Sequence, residues 1–523
     1  MPRPPQLLAY CLAVLCLAYP WLNPFNLGPS VTVVSGLVAW SCAVGLGLCF
    51  LTLLSTRQAR WRVLLMGWGL AAGLSALMGL LQYFDRAHGW WPWVNNAGLG
   101  QAFANLRQRN HFATLCSMGL VLLWWCAQYA PAGKRNTALT AGGLAGAVLV
   151  CAGSAASGSR TGFLQLLLLF VMAWCWRPSA SAAPGTRRGL ALAGFMLAAY
   201  VLAAVLLPLA AGVQGSVFER MREAPGCTSR VALYRNVLDL ISQKPLTGWG
   251  LGELDFAHFM TLYTSPLAGM RFCEILDNAH NLPLHWAVEL GLPLAFLLCT
   301  LLLLWLLRHR PWAERQPQRQ LAWGLLAMVG LHSLLEYPLW YGPFQITVVL
   351  CLWVLHAYPA GQTPGLTPAD LQLATGAIAP PTRSGPAVRT RWLALLALAL
   401  LCALLTWNYW RMSQLYMAPQ QRAPAYREDT YSKVLGTWFF GNHVDFAVFS
   451  VTPVNAQTAP YLLELGERLL HFSPEAKVVE KLLDAAIVLQ REDTVVFYTP
   501  RFAAAFPEDY QRWQAQHPDL RLP

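Results

Sequence analysis

The sequence predicts an all-α fold: a polytopic membrane protein of about eleven transmembrane helices, with a long periplasmic loop and a C-terminal helical periplasmic domain. Three observations predict it. Of 523 residues, 56% are hydrophobic and only 12% charged, with a mean hydropathy of +0.40, whereas soluble domains average about 45–50% apolar and about 25% charged. Apolar runs of roughly 20 residues recur, each long enough to cross a hydrocarbon core about 30 Å thick. Lys and Arg gather in alternate short loops between those runs, as topology control requires. A soluble enzyme is excluded, and the net charge of +12 reflects membrane orientation rather than nucleic-acid binding.

In chain order the predicted spans are 6–22, 31–54, 61–84, 112–129, 139–152, 163–176, 189–211, 282–307, 321–335, 344–358 and 392–410. The first has one basic residue ahead of it, Arg3, and no A-x-A site after Trp21, so it reads as a helix and not a signal peptide. One set of loops carries Arg57, Arg60, Arg62, Lys134, Arg135, Arg177, Arg187, Arg188, Arg308, Arg310, Arg315, Arg319, Arg383, Arg389 and Arg391. The opposite set, leaving aside the long seventh-to-eighth connection, carries Arg86, Arg107, Arg109 and Arg160. The positive-inside rule places the first set in the cytoplasm and the other outside, periplasmic in a Gram-negative cell.

The expected domains are a transmembrane domain over 1–410, with an outer loop at 212–280, and a C-terminal outer domain over 411–523. The loop is polar, with Glu219, Arg220, Arg222, Arg230, Arg235, Lys244, Glu253, Asp255 and Asp277, and loops of that length are usually functional. In the C-terminal domain Ser473 reads as an N-cap with Pro474 at the first helical position. Val478, Val479, Leu482, Leu483, Ala486 and Ile487 then form one apolar face. Segments 461–472 and 507–516 read as further short helices, and 361–386 as a flexible linker. Most cysteines lie in apolar runs, where Cys is a small hydrophobe. Cys227 and Cys273 sit in the outer loop, where the expectation is a disulfide and two separated free thiols are the alternative.

The polar motifs beside the spans all map to the outer face: Asn105–His111, Ser157–Gly162, Ser229–Arg235, Asp277–Asn281 and His332–Tyr341. Ionisable groups at membrane depth are costly and mark a function or a buried partner. Arg109, Arg160, Arg230 and Arg235 offer forked cations that match phosphate oxygens bidentately, which points to a phosphate-bearing ligand. The bland alternative pairs each with Glu336, Glu289, Asp277 or lipid phosphate. His280, flanked by Asn278 and Asn281 where the loop meets the eighth span, is in arginine-rich company that lets a neutral imidazole accept a proton or orient an acceptor; a structural histidine is the alternative. His111 and His332 read as structural. Glu253-Leu254-Asp255 is a weak metal pattern, and an arginine cluster is favoured over a metal. A P-loop is absent.

These residues resemble the O-antigen ligase and polymerase superfamily, and within it the PglL-like bacterial protein O-oligosaccharyltransferases. The motifs are Gln108-Arg109-Asn110-His111, Ser159-Arg160-Thr161-Gly162, Arg230 followed by Pro245–Gly252, Ala279-His280-Asn281 with Glu289-Leu290-Gly291-Leu292, and Glu336-Tyr337-Pro338-Leu339-Trp340. The resemblance covers roughly 99–340. It implies transfer of an oligosaccharide from undecaprenyl pyrophosphate to Ser or Thr hydroxyls of exported proteins such as pilins. That reaction takes place at the outer face of the bacterial inner membrane and needs no ATP or nucleotide sugar, because the pyrophosphate leaving group carries the activation; no cofactor is expected. By motif it implies His280 as the essential residue, Gln108 and Tyr337 in support, and Arg160 and Arg230 near the pyrophosphate, with Arg109 and Arg235 added by their charge. Alternatives are an O-antigen ligase, an O-antigen polymerase and, from another class, a lipid-linked-sugar transporter.

Overall fold

The computed structural model describes residues 4–26, 28–54, 56–129, 137–177, 186–213, 226–266, 268–359 and 386–518. Expectations that fall on Lys134, Arg135, Glu219, Arg220, Arg222 and Arg383, and on nearly all of the 361–386 linker, lie outside the described residues. Those described form helices and turns with no strand. In chain order the α-helices are α1 Pro4–Leu22, α2 Val31–Thr52, α3 Arg57–Tyr83, α4 Arg109–Tyr129, α5 Thr137–Ala156, α6 Arg160–Cys175 and α7 Thr186–Ala211. They continue with α8 Arg230–Gln243, α9 Leu254–Met260, α10 Leu282–Leu290, α11 Leu292–His309, α12 Pro317–Ser333, α13 Gly342–Ala357 and α14 Pro386–Ser413. The C-terminal set is α15 Thr430–Val434, α16 Gly441–Val451, α17 Ala459–Leu470, α18 Ala476–Val488, α19 Glu492–Ala505 and α20 Pro507–Gln516.

Each predicted span falls on a helix. By length and composition six stretches among the described residues can cross a membrane: Val31–Thr52, Arg57–Tyr83, Arg109–Tyr129, Arg188–Ala211, Leu292–Ala313 and Val388–Tyr416. Shorter apolar helices cover Gln6–Leu22, Ala141–Ala156, Arg160–Cys175 and Gly342–Ala357. This is a multi-pass helical membrane protein. One span needs correction. The predicted 282–307 run is two helices, broken at Gly291, whose φ of 84° leaves the helical region and favours glycine. Hydropathy cannot see that break, because both sides of it are apolar.

The chain divides into two compact units, 1–223 with 306–404, and 224–305 with 405–523. In the first, α4 is the central helix, packed on α3, α5, α6 and α12, while α1 packs on α2 and α3, and α13 on α2 and α12. Small residues permit the close approaches. A Cβ on Gly119 would stand 2.5 Å from that of Ala72, and one on Gly153 only 2.9 Å from that of Ala76.

In the second unit α8, α9 and α10 share a core of Leu233, Val237, Leu240, Leu254, Ala257, Phe272, Leu276 and Val288. Cys227 and Cys273 are joined in a disulfide with a Cα–Cα distance of 5.5 Å. Helices α17 to α20 pack in succession, and the expected face of Val478, Val479, Leu482, Leu483 and Ala486 is buried in their core. Helix α18 starts at Ala476 with Glu475 in the N-cap position and no side-chain capping bond, where the sequence predicts Ser473 as the cap. The Ser473 hydroxyl instead donates to the Glu475 carboxylate at 2.9 Å. Phe259 of α9 belongs to the same C-terminal core, with Phe256 and Met260 against it.

Candidate active site

The predicted site residues fall in both units: Gln108, Arg109, Arg160 and Tyr337 in the first, Arg230, Arg235 and His280 in the second.

In the first unit the approach to α4 is held by Gln82, fully buried in α3. Its amide donates to the carbonyls of Asn95 (2.7 Å) and Ala104 (2.8 Å) and accepts from the N–H groups of Phe103 (3.0 Å) and Ala104 (2.7 Å). That bracing delivers the chain to Gln108, which caps α4: its Oε1 accepts the His111 N–H at 3.1 Å. Arg109 is therefore the first residue of the helix. Helix α6 repeats the device, since Ser159 Oγ accepts the Gly162 N–H at 3.2 Å and exposed Arg160 stands first.

Glu336 joins these elements. Its carboxylate, 4% exposed, accepts from Gln108 Nε2 at 3.3 Å and Asn110 Nδ2 at 2.9 Å. Asn110 Oδ1 in turn accepts the Ser159 hydroxyl at 2.6 Å. Tyr337 follows, half-buried, before the turn Pro338–Trp340, with its ring 6.3 Å from that of His111. His111 is fully buried among His332, Tyr341 and Phe344. His332 Nδ1 and Thr114 Oγ1 are 2.9 Å apart, and Gln165 donates to Thr114 at 2.9 Å. Those histidines are packed into the helix bundle, as expected.

In the second unit Arg230 is again the first residue of a capped helix: Ser229 Oγ accepts the Ala232 N–H at 3.2 Å. One turn on, the Tyr234 hydroxyl donates to the carbonyl of His280 at 3.4 Å. Half-buried His280 holds a left-handed conformation, φ 48°, uncommon for a residue with a side chain and concentrated at functional sites. Asn278 Oδ1 accepts the His280 N–H at 2.7 Å, and Asn281 caps α10 by accepting the Leu284 N–H at 3.1 Å. Arg235 is exposed, its guanidinium lying against Gly269.

The Pro245–Gly252 motif is the clamp on α10. Trp249 N–H donates to Val288 (2.9 Å), Gly250 N–H to Glu289 (3.0 Å) and Leu292 N–H to Pro245 (2.7 Å). A Cβ on Gly248 would lie 2.3 Å from the Glu289 carbonyl oxygen, and one on Gly291 the same distance from that of Leu246. Only glycines let the two backbones meet. The buried Glu289 carboxylate accepts the Gly252 N–H at 2.9 Å and lies 3.5 Å from His285 Nε2.

The Glu253-Leu254-Asp255 pattern is spent differently from the metal alternative. Glu253 bonds His471 Nδ1 at 2.7 Å, and the His471 ring stacks on Phe256 at 3.7 Å. Asp255 lines a small pocket with His258, Arg271, Glu274 and Phe506. Burial pushes its carboxyl up to about 7, helped by Asp277 and Glu253. Burial beside Arg271 pushes His258 down to about 3. Sequence reasoning missed Gln82 as a brace, and it gave Glu336 as part of a motif and as a possible arginine partner but not as the acceptor for Gln108 and Asn110. A lone Gln in the apolar 61–84 run was the available signal for the first.

Three family models match consecutive parts of the chain: protein glycosylation ligase over 102–126, O-antigen ligase over 145–299, and the C-terminal part of a virulence-factor membrane-bound polymerase over 320–520. A general O-oligosaccharyltransferase of Acinetobacter baylyi is 28% identical over 156 residues, which is 30% of this chain. The match spans 26% of that relative's own length. The first two models take in the Gln108, Arg160, Arg230 and His280 motifs, and the third begins just before Glu336. Together with the membrane helices, these matches support a PglL-like member of the O-antigen ligase superfamily.

Proposed function

We propose that the protein transfers an oligosaccharide from undecaprenyl pyrophosphate to Ser or Thr hydroxyls of an exported acceptor protein such as a pilin, at the periplasmic face of the inner membrane. The observation that carries this reading is the repeated placement of Arg109, Arg160 and Arg230 as first residues of side-chain-capped helices. Each adds a guanidinium to the partial positive charge of a helix N-terminus, a setting for phosphate oxygens. In the reaction the bond from the sugar's anomeric carbon to the pyrophosphate oxygen breaks and a bond to the acceptor oxygen forms. Negative charge grows on the leaving pyrophosphate, where Arg160 and Arg230 stabilise it. His280 Nε2 or Nδ1 takes the hydroxyl proton. Gln108 and Tyr337 orient the reactants by hydrogen bonds. The match over 102–126 to a protein glycosylation ligase favours a protein acceptor over lipid A core.

The test is co-expression with a lipid-linked glycan and a candidate pilin, with mass spectrometry of the pilin and gel analysis of lipopolysaccharide in parallel. A glycan-sized mass on Ser or Thr peptides is expected. Label on lipid A core would make it an O-antigen ligase, and glycan movement across the membrane with no glycosidic bond would make it a transporter. Within the same assay, Arg160→Lys and Arg230→Lys should retain part of the transfer that the Gln variants lose.

A further inference from the structure

We infer that Glu336 is a positioning residue for the transfer, acting through the carboxamides of Gln108 and Asn110; this rests on the function proposed above. A buried carboxylate needs hydrogen-bond donors, and the two side-chain amides that supply them come from the N-terminus of α4. The other end of each amide is already committed. Gln108 Oε1 holds the His111 N–H and Asn110 Oδ1 holds the Ser159 hydroxyl. An amide has one oxygen and one NH₂ group, so committing both ends leaves a single orientation. Rotating Gln108 by a half-turn would set NH₂ against the His111 N–H and oxygen against the Glu336 carboxylate, and both contacts would repel.

Glu336 thereby fixes which face of Gln108 is a donor. One N–H and one oxygen lone pair of that amide remain for substrate. The same carboxylate ties three elements, since Asn110 and Ser159 link the first turns of α4 and α6, and the Glu336 N–H donates to the His332 carbonyl at 2.8 Å, closing the end of α12.

A residue that acts through another leaves a specific signature. Glu336→Ala removes the acceptor and should lower the transfer rate by about 10- to 100-fold. Glu336→Gln keeps an oxygen for Gln108, while its NH₂ is received by Asn110 after that amide turns over, because the Ser159 hydroxyl can accept as well as donate. It should stay within about fivefold of the parent protein. In a Gln108→Ala background, Glu336→Ala should lower the rate less than it does in the parent protein, because only the Asn110 route is left to lose. Full-length variants in nanodiscs, assayed with lipid-linked glycan and acceptor and melted in parallel, give both readouts. The inference is overturned if Glu336→Gln is as inactive as Glu336→Ala, if the two alanine changes multiply, or if Glu336→Ala is fully active. Should the parent protein transfer no glycan, the functional reading fails by itself. The network is then read from melting temperatures, where coupling of Glu336→Ala with Gln108→Ala supports it and additivity overturns it.

Discussion

His280 is held in a left-handed backbone conformation by a bond to Asn278 on one side and the Asn281 cap on the other. Its imidazole is therefore aimed by the backbone and not by its own rotamer choice alone. His280→Ala should abolish transfer while membrane insertion and melting temperature stay near the parent's, and His280→Asn, which tolerates the left-handed region, should also be inactive and fully folded. Transfer by an inserted His280→Ala protein, read by acceptor mass spectrometry, would sink the assignment. Asp255 offers a second residue-level test. Its folded carboxyl titrates at about 7, above the unfolded value of about 3.9. The folded state thus holds a proton that the unfolded chain has released, and that contribution is present below about pH 4 and lost as pH rises through 7. Asp255→Asn removes the titration. Its melting temperature relative to the parent should rise between pH 5 and pH 8, whereas a difference independent of pH would exclude a buried ionisation at this position.

At the scale of elements, the 245–252 motif and α10 meet backbone to backbone. Gly248, at φ 67°, has no room for a Cβ because the Glu289 carbonyl is 2.3 Å away from where it would stand. Gly248→Ala should destabilise the protein by about 1–3 kcal/mol, and by shifting α10 it should lower transfer as well, since His280 and Asn281 form the start of that helix. Gly252, at φ 75° but with open space around it, loses only conformational freedom, so Gly252→Ala should be the milder change. Thermal melting of both variants checks the order. If they melt alike, strain and not contact governs the motif.

At the scale of the whole molecule, the C-terminal helices share a core with α9. Phe259 is 2% exposed within it, Arg501 Nε donates to the Met260 carbonyl at 3.1 Å, and His471 joins Glu253. The C-terminal helices thus add apolar cover and polar ties to the 226–281 segment beyond the core that α8, α9 and α10 share. Deleting residues after Met412 bares Phe256, Phe259 and Met260 to water. Limited proteolysis of the truncated protein in nanodiscs should then cut within 250–275 at protease levels that leave the full chain intact. Equal resistance would mean that the segment folds without its C-terminal partner, and its role would move towards acceptor recognition.

Local pattern carried much of this protein. Apolar runs read from composition coincide with helices because burial and lipid solvation depend on nearby residues. The buried face of α18 was legible for the same reason, whereas the caps Ser159, Ser229 and Asn281 emerged only in the structure and the one cap read from sequence, Ser473, lies ahead of the helix start. Apart from the Cys227–Cys273 disulfide, expected from the outer compartment, the fold decided the pairings across long chain separation. Gln108 meets Glu336 across 228 residues and His471 meets Glu253 across 218, and no periodicity records such partners. The break at Gly291 belongs with them. A glycine between two apolar stretches reads as helix from hydropathy, and its role as a boundary shows only in its left-handed backbone and in the Leu246 carbonyl packed where a Cβ would stand. The sequence alone located the apolar helices and the polar motifs beside them; tertiary structure decided where a run breaks and which groups touch, because contacts between distant segments depend on packing that local composition does not contain.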